Sequence, residues 1–142
     1  MNNEVFLCFD HGEKRIGVAV GQTVSNSASP LETISCKNTK PDWQRISELV
    51  RMWQPCAFVV GHPLTMEGER QPATEAAEKF ARQLHGRYGL SCHLADERLS
   101  SYEAQQKLKD TYNIDPVAAQ VILESWMTAK SQNEDSADIS SA

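Results

Sequence analysis

The chain opens with Glu4-Val-Phe-Leu-Cys-Phe-Asp10-His-Gly-Glu-Lys-Arg-Ile-Gly-Val-Ala-Val-Gly21, a stretch that predicts two strands joined by a tight turn. Its first half is apolar, aromatic and short enough for a buried strand, and it ends on the carboxylate of Asp10. In its second half Ile16, Val18 and Val20 share one face by strand alternation. The stretch therefore predicts a β-hairpin at the start of a sheet.

After the hairpin, the spacing of apolar residues switches between strand and helix periods. The elements predicted there are a strand over 31–36 after a loop ending at Pro30, a helix from Pro41 that Pro55 stops, a strand over 56–60, a helix opened by Pro72 and closed by Gly89, a strand over 90–95, a short helix from Ser100 to near Asp110, and a last helix that starts at Asp115-Pro116. The resulting order is β-β-β-α-β-α-β-α-α.

This order predicts an α/β fold with a mixed five-stranded sheet, in which three antiparallel strands are followed by two parallel strands, and helices flank the sheet. Alternation of strands and helices alone would also allow a Rossmann-like or flavodoxin-like fold, but the opening hairpin argues against both. An RNase H-like sheet fits better. We expect one domain over residues 1–130 and a disordered, acidic, Ser-rich tail over 131–142.

Length, composition and charge limit the function classes. The 142 residues, 40% of them hydrophobic, suffice for one core. No apolar run is long enough to span a membrane, and residues 1–5 lack a signal-peptide pattern, so we expect a cytoplasmic protein without a membrane partner. The formal net charge is −5, so nucleic-acid binding would need a local basic patch or bridging metal ions.

The cysteines give no sign of a metal or redox site. Cys8, Cys36, Cys56 and Cys92 match neither a zinc-ligand spacing nor a CxxC motif. We expect buried free thiols.

Acidic residues follow the predicted strands at the places where α/β sheets bind ligands. Asp10 follows the first strand, Asp96 and Glu97 follow the last, and Asp115 precedes the final helix. If they converge, their oxygens would suit Mg²⁺ or Mn²⁺ and phosphoryl chemistry. Each also has an ordinary structural interpretation. Asp10 could accept hydrogen bonds from the turn backbone, Asp96-Glu97-Arg98 could be a charge cluster at a strand end, and Asp115 could be a helix N-cap.

Other candidate residues give weaker signals. Lys14, Arg15, Arg70 and Arg98 flank the predicted strand-end loops and could contact phosphates, although isolated basic residues are usually solvated surface. Among the histidines, His11 and His62 lie in suggestive loops and His93 is expected to be structural. The four histidines show no metal-pair spacing.

Four segments in order resemble the motifs of the YqgF/RuvX family, to which Holliday junction resolution and pre-16S rRNA cleavage are ascribed. The segments are Phe9-Asp-His-Gly-Glu-Lys-Arg-Ile-Gly-Val-Ala19, Val59-Val-Gly-His-Pro-Leu64 with Glu67-Gly68, Asp96-Glu-Arg-Leu-Ser-Ser101, and Asp115-Pro-Val-Ala-Ala119 with Ile122-Leu123. The chain departs from the family pattern at His62, where an apolar residue is common, and at Glu67, where Asp is usual. Neither departure removes a predicted ligand.

The resemblance implies an RNase H-like fold and an endonuclease that depends on Mg²⁺ or Mn²⁺. The family's catalytic, metal-binding acids fall on Asp10, Glu97 and Asp115, with Asp96 as the alternative to Glu97. Lys14, Arg15 and Arg98 would orient nucleic-acid phosphates. The implied substrate is precursor 16S ribosomal RNA, cut at its 5′ end during ribosome biogenesis, or branched DNA. The protein would be a monomer or a homodimer, and two symmetric cuts in a four-way junction would need the dimer.

Two other function classes remain open. Actin-like ATPases share this kind of sheet and a similar Asp-x-Gly turn, but they pair two such domains, and this chain has room for one. A non-catalytic RNA-binding module for ribosome assembly would agree with the low basicity. The retention of every candidate acid argues against the module.

Overall fold

The computed structural model describes residues 3–97 and 114–132, without the side chains of Ile114, Asp115 and Gln132. The elements in chain order are β1 (Val5–His11), β2 (Arg15–Gln22), β3 (Ser27–Ser35), α1 (Trp43–Trp53), β4 (Ala57–His62), α2 (Pro72–Tyr88), β5 (Ser91–Asp96) and α3 (Ile114–Gln132). The short helix predicted from Ser100 to near Asp110 lies outside the described residues. The tail predicted over 131–142 also lies outside them, except for Ser131 and Gln132, which form the end of α3.

The five strands form one sheet with the order β3-β2-β1-β4-β5. β1 pairs antiparallel with β2, and β2 pairs antiparallel with β3, so the predicted hairpin and the third strand form a meander. β4 pairs parallel with β1 on one side and with β5 on the other. The mixed α/β sheet predicted from the hydrophobic spacing is therefore confirmed.

The third strand begins earlier than predicted. β3 starts at Ser27 and includes Pro30, which the sequence pattern placed at the end of a loop. Proline is tolerated because β3 is an edge strand, where its missing N–H need not reach a neighbour. The register of β2 with β3 shifts between Val18 and Ala19, opposite this proline, which is typical of a β-bulge.

Helix α1 begins two residues after the predicted start. Asp42 caps the helix, and its side chain accepts a hydrogen bond of 3.1 Å from the backbone N–H of Arg45. The predicted limits of α2 are confirmed, since Pro72 lies at its start and Gly89 closes it in the left-handed conformation with φ of 70°.

The sheet is covered on both faces, and strand alternation decides which side chains enter each core. Leu7, Phe9, Phe58 and Val60 point toward α1 and α2, while Cys8 and its neighbours point toward α3. The buried side chains on the α3 side are Phe6, Cys8, Ala19, Ala28, Ala57, Val59, Ala95, Ala119, Ile122, Leu123 and Met127.

Helix α3 lies across the sheet and runs opposite to β1. Near its end Trp126 packs edge-on against Phe6, at the amino end of β1, with ring centroids 5.1 Å apart. Earlier in the helix Ile122 packs over Gly61, at the carboxyl end of β4. The start of α3 therefore lies toward the carboxyl ends of β1 and β4. None of the helices in the described ranges is long and apolar enough to cross a membrane.

The expectation of buried thiols holds only in part. Cys8 is buried and Cys36 and Cys92 are half-buried, but Cys56 is exposed. Cys56 lies between Pro55 and the first residue of β4; its backbone N–H donates to the Val5 carbonyl at 2.8 Å, while the residue stays exposed at the start of the strand. All four are free thiols, as expected.

Substitution of Gly21 should destabilise the fold. A Cβ atom there would lie 2.8 Å from both Leu123 Cδ2 and Met127 Sδ, so Gly21→Ala would force these two side chains of α3 to shift within the packed core. We expect a loss of about 1–3 kcal/mol in the free energy of unfolding, measured by urea denaturation. Gly86→Ala is the matched control because nothing lies within 4 Å of its Cβ position in α2, and it should stabilise the protein by about 0.5–1 kcal/mol. Equal stability of Gly21→Ala and wild type would contradict this packing.

Candidate active site

The carboxyl ends of three neighbouring parallel strands form the candidate site. Asp10 lies near the end of β1, Gly61 near the end of β4, and Glu97 directly after β5. These strands are adjacent in the sheet and point the same way, so their ends meet at one edge. The structure thus brings two of the predicted acids to the edge where α/β sheets bind ligands.

Gly61 makes room for the carboxylate of Glu97. A Cβ atom at Gly61 would lie 2.7 Å from Glu97 Oε2 and 3.0 Å from Ile122 Cδ1. The absence of a side chain therefore lets the carboxylate and α3 close over the end of β4. Any larger residue at position 61 would displace one of them.

The geometry separates the two adjacent acids, Asp96 and Glu97, which the sequence pattern could not do. Asp96 is the last residue of β5 and pairs with His62, and alternation places both on the α2 side of the sheet. Glu97 lies over Gly61 on the α3 side, the side toward which alternation also points Asp10. Of the two acids, Glu97 is the one that shares a face with Asp10.

The electrostatics of the edge agree with two acids on one face. Burial raises the pKa of the Glu97 carboxyl, the charge of Asp96 raises it further, and His62 acts in the opposite direction. Burial also raises the pKa of the Cys8 thiol well above its usual range, and the charges of Asp10 and Glu97 add to that effect. A cation at this edge would relieve the repulsion among these groups.

The third predicted acid, Asp115, lies in the first turn of α3. Its position falls on the same helical stripe as Ala119 and Ile122, both buried against the sheet. Since Ile122 packs over Gly61, position 115 lies about two turns, or about 10 Å, farther toward the carboxyl edge. The backbone of α3 therefore brings Asp115 to the same side of the molecule as Asp10 and Glu97.

The predicted phosphate-binding residues differ in their surroundings. Lys14 and Arg15 are exposed, in the β1–β2 turn and at the start of β2. Arg98 lies outside the described residues. Arg70 is already engaged, since its guanidinium donates two hydrogen bonds of 2.7 Å to the carboxylate of Glu78. We therefore do not count Arg70 among the phosphate contacts.

A polar group with no distinctive signal in the sequence borders the site. Glu78 of α2 also bonds His62 Nε2 at 2.8 Å, so it joins His62 to Arg70. Hydrogen bonds from Arg70 and His62 lower the pKa of Glu78 to about 2. Nothing in the sequence spacing separates Glu78 from the other charged residues of α2; only the fold places it beside His62.

The donor set at the edge fits a hard divalent cation. Carboxylate oxygens from separate strands are the ligands that Mg²⁺ and Mn²⁺ prefer, and the charges of Asp10 and Glu97 are close enough to act on the same thiol. Within the side chains that the structure describes, no three His, Cys, Asp or Glu residues form a metal cluster. The Asp115 carboxyl, the predicted third ligand, lies outside that set.

Comparison with known proteins agrees with this architecture. The sequence profile of the RuvX family, described as Holliday junction resolvase, matches residues 4–129. The chain belongs to the RuvX family. A relative from Bordetella pertussis, named "Putative pre-16S rRNA nuclease", is 48% identical over 132 residues, 93% of this chain and 99% of the relative. A Pectobacterium carotovorum relative of the same name is 44% identical over 138 residues, 92% of this chain and 99% of the relative.

Solved structures place this RuvX chain in the expected fold. RuvC of T. thermophilus in complex with a Holliday junction substrate aligns with a TM-score of 0.61 at 14% identity, over 89% of this chain and 96% of RuvC. The fowlpox virus Holliday junction resolvase aligns with a TM-score of 0.53 at 15% identity, over 88% and 99% of the two chains. The expected family and the RNase H-like fold are confirmed.

Neutralising Glu97 should stabilise the metal-free protein near neutral pH. The pKa of Glu97 is higher in the folded protein than in the unfolded chain. Ionisation of Glu97 therefore destabilises the fold at pH values above the ordinary carboxyl pKa. We expect Glu97→Gln in EDTA to unfold at higher urea concentration than wild type at pH 7, and the difference to vanish below about pH 4. The exposed Glu124→Gln should show no such pH-dependent gain. A difference for Glu97→Gln that stays constant across this pH range would contradict the burial of a charged Glu97.

Proposed function

We propose that this chain is a divalent-metal-dependent endonuclease that hydrolyses RNA phosphodiesters, with the 5′ end of precursor 16S ribosomal RNA as its substrate in the cytoplasm. The observation that carries the proposal is the pairing of Asp10 and the half-buried Glu97 on one face of the carboxyl edge, with Gly61 between them. The names of the relatives from Bordetella pertussis and Pectobacterium carotovorum support the choice of RNA.

Asp10, Glu97 and Asp115 would hold one or two Mg²⁺ or Mn²⁺ ions. A bound ion lowers the pKa of a coordinated water and stabilises the leaving oxygen of a phosphodiester. Packing around Gly61 fixes Glu97 before substrate arrives, so little ordering of that side chain is required on binding. Glu97 is half-buried, and this partial shielding from water would strengthen its attraction for a cation.

Basic side chains near the edge would hold the RNA backbone. Lys14 and Arg15 are exposed at the β1–β2 turn, directly after the strand that carries Asp10, and Arg98 follows Glu97 in the chain. Their charges would compensate phosphates next to the one that is cut. Such local contacts matter here because the whole chain carries a formal charge of −5 and does not attract a polyanion at long range.

Branched DNA is the second candidate substrate, favoured by the description of the matching family profile. Resolution of a four-way junction needs two symmetric cuts and hence a homodimer, whereas a monomer can cut a precursor RNA. The two substrates therefore predict different assembly states during cleavage.

The proposal predicts cleavage that depends on both the metal and the acids. Purified protein with Mn²⁺ or Mg²⁺ should cut a precursor 16S fragment that spans the mature 5′ end, and EDTA should stop the reaction. Asp10→Asn and Glu97→Gln should show no cleavage above background while retaining the wild-type fold, because each loses a carboxylate ligand. The assay should offer a synthetic four-way DNA junction in parallel.

Conservative substitutions away from the edge provide matched controls. Asp42→Asn keeps an equally good N-cap for α1, and Glu124 is exposed on α3, so Asp42→Asn and Glu124→Gln should cut as wild type does. Full activity of Asp10→Asn would overturn the metal-site assignment. Preference for the junction would replace RNA by branched DNA as the substrate. Binding of RNA without cleavage would favour the ribosome-assembly module.

A further inference from the structure

A cavity of about 630 Å³ opens on the face of the sheet opposite Glu97. It lies between the end of β1, the segment before α1, and α2, and its lining includes His11, Trp43 and Phe80. His11 directly follows Asp10 in β1, and strand alternation points the two side chains to opposite faces. The cavity therefore adjoins the candidate active site across a single strand end.

Aromatic rings form the inner wall of the cavity. Trp43 stacks on Phe80 with centroids 5.5 Å apart and an interplanar angle of 24°. His11 lies against the same phenyl ring at 4.9 Å. The imidazole of His11 thus adds a second flat ring to this wall. Phe80 itself is buried, which leaves Trp43 and His11 as the accessible rings.

Basic side chains surround the opening of the cavity. Lys40, Lys79 and Arg87 line it and are exposed, and among the described residues of its lining Glu13 is the one acid. The Arg87 guanidinium lies over the Trp43 ring, 4.1 Å from its centroid, in a cation–π contact. The cavity thus carries a net positive charge in a chain whose formal charge is −5.

Flat rings inside and cations at the rim are the combination that binds single-stranded nucleic acid. Bases stack on aromatic side chains, and the neighbouring backbone pairs with Lys and Arg. A volume of 630 Å³ lies within the range of about 300–1,000 Å³ that is typical of small-molecule sites, so one nucleotide fits. A base held in a duplex stays stacked on its neighbours and cannot enter.

We propose that this cavity binds one unstacked nucleotide of a single strand whose neighbouring phosphate reaches the Asp10–Glu97 edge. The base would replace Arg87 against the Trp43 ring, and Lys40, Lys79 and the displaced Arg87 guanidinium would contact the flanking phosphates. The inference rests on the proposed nuclease function, since it assigns the bound strand to the substrate. It makes the protein selective for single-stranded RNA next to the cut.

Charge reversal at the rim tests the proposal without any cleavage. We expect Lys79→Glu/Arg87→Glu to bind a labelled 12-nucleotide single-stranded RNA at least tenfold more weakly than wild type, in EDTA. Its logarithmic salt dependence should become shallower by about 1–2, because each lost phosphate contact removes about 0.7 from the slope for a single strand. A duplex of the same sequence should compete poorly with the single strand for wild-type protein.

The matched control is Arg51→Glu/Arg82→Glu, which makes the same change in net charge on α1 and α2. Arg51 and Arg82 are exposed and lie outside the cavity lining, so this variant should lose less than threefold in affinity. Equal losses in the two double variants would overturn the cavity site and leave only a general charge effect. Equal competition by the duplex would also overturn it.

A signal from Trp43 locates the bound strand. In a ¹⁵N-labelled protein the three tryptophans give separate indole N–H signals, and Trp43→Phe identifies that of Trp43. Addition of the single-stranded RNA should shift the Trp43 signal and leave those of Trp53 and Trp126 in place. No shift at Trp43 under saturating RNA would refute the proposal.

The binding and cleavage experiments can refute the cavity site and the nuclease function separately. If the RNA enters the cavity but the protein does not cut it with Mn²⁺ or Mg²⁺, the cavity site stands and the nuclease function falls. If the protein cuts RNA in an Asp10-dependent manner while Lys79→Glu/Arg87→Glu binds and cuts like its control, the nuclease stands and the cavity site falls.

Discussion

The close approach at Gly61 is the constraint on which the candidate site depends. Two groups occupy the space where a side chain would lie at the end of β4: Glu97 Oε2, 2.7 Å from the Cβ position, and Ile122 Cδ1, 3.0 Å from it. The first belongs to the strand end after β5 and the second to α3. One missing side chain therefore lets the sheet edge, the acid and the covering helix meet.

The carboxyl edge brings together acidic side chains whose charges do not stabilise the fold. Burial and the charge of Asp96 both raise the pKa of Glu97, which means that the ionised group is unfavourable in the metal-free protein. Ionisable groups with perturbed pKa values at the ends of strands are typical of functional sites. A divalent cation would resolve this conflict, because it would attract the same charges that repel one another. The cavity beside His11 lies on the opposite face, and Lys40, Lys79 and Arg87 line it.

Local patterns predicted the fold well, since the hairpin of β1 and β2 and the capped ends of α2 follow from residue type and spacing. Predictions failed where a neighbour decides the outcome. Its residue type predicts a loop at Pro30, and only the position of β3 at the edge of the sheet explains why a strand tolerates it. The apolar run predicts a buried Cys56, but this residue precedes β4 and is exposed.

The site could be predicted as a set of acids but not as a geometry. Asp10 was selected because it follows an apolar strand, and the resemblance to the RuvX family added Asp115. The choice between Asp96 and Glu97 needed the pairing of β5 with β4 and the empty position at Gly61. Glu78 and the basic rim around Trp43 combine residues far apart in the chain, and no local spacing marks them.

The most direct test of the account is a titration of the ¹⁵N-labelled protein with Mn²⁺, which broadens the amide signals of residues near the bound ion. Signals from the carboxyl edge, at Asp10, Gly61 and Glu97, should broaden first. Signals from the amino ends of the same strands, at Phe6 and Ala57, should persist at equal Mn²⁺ concentration and provide the internal control. Uniform broadening, or broadening centred away from the carboxyl edge, would contradict the assignment of the metal site.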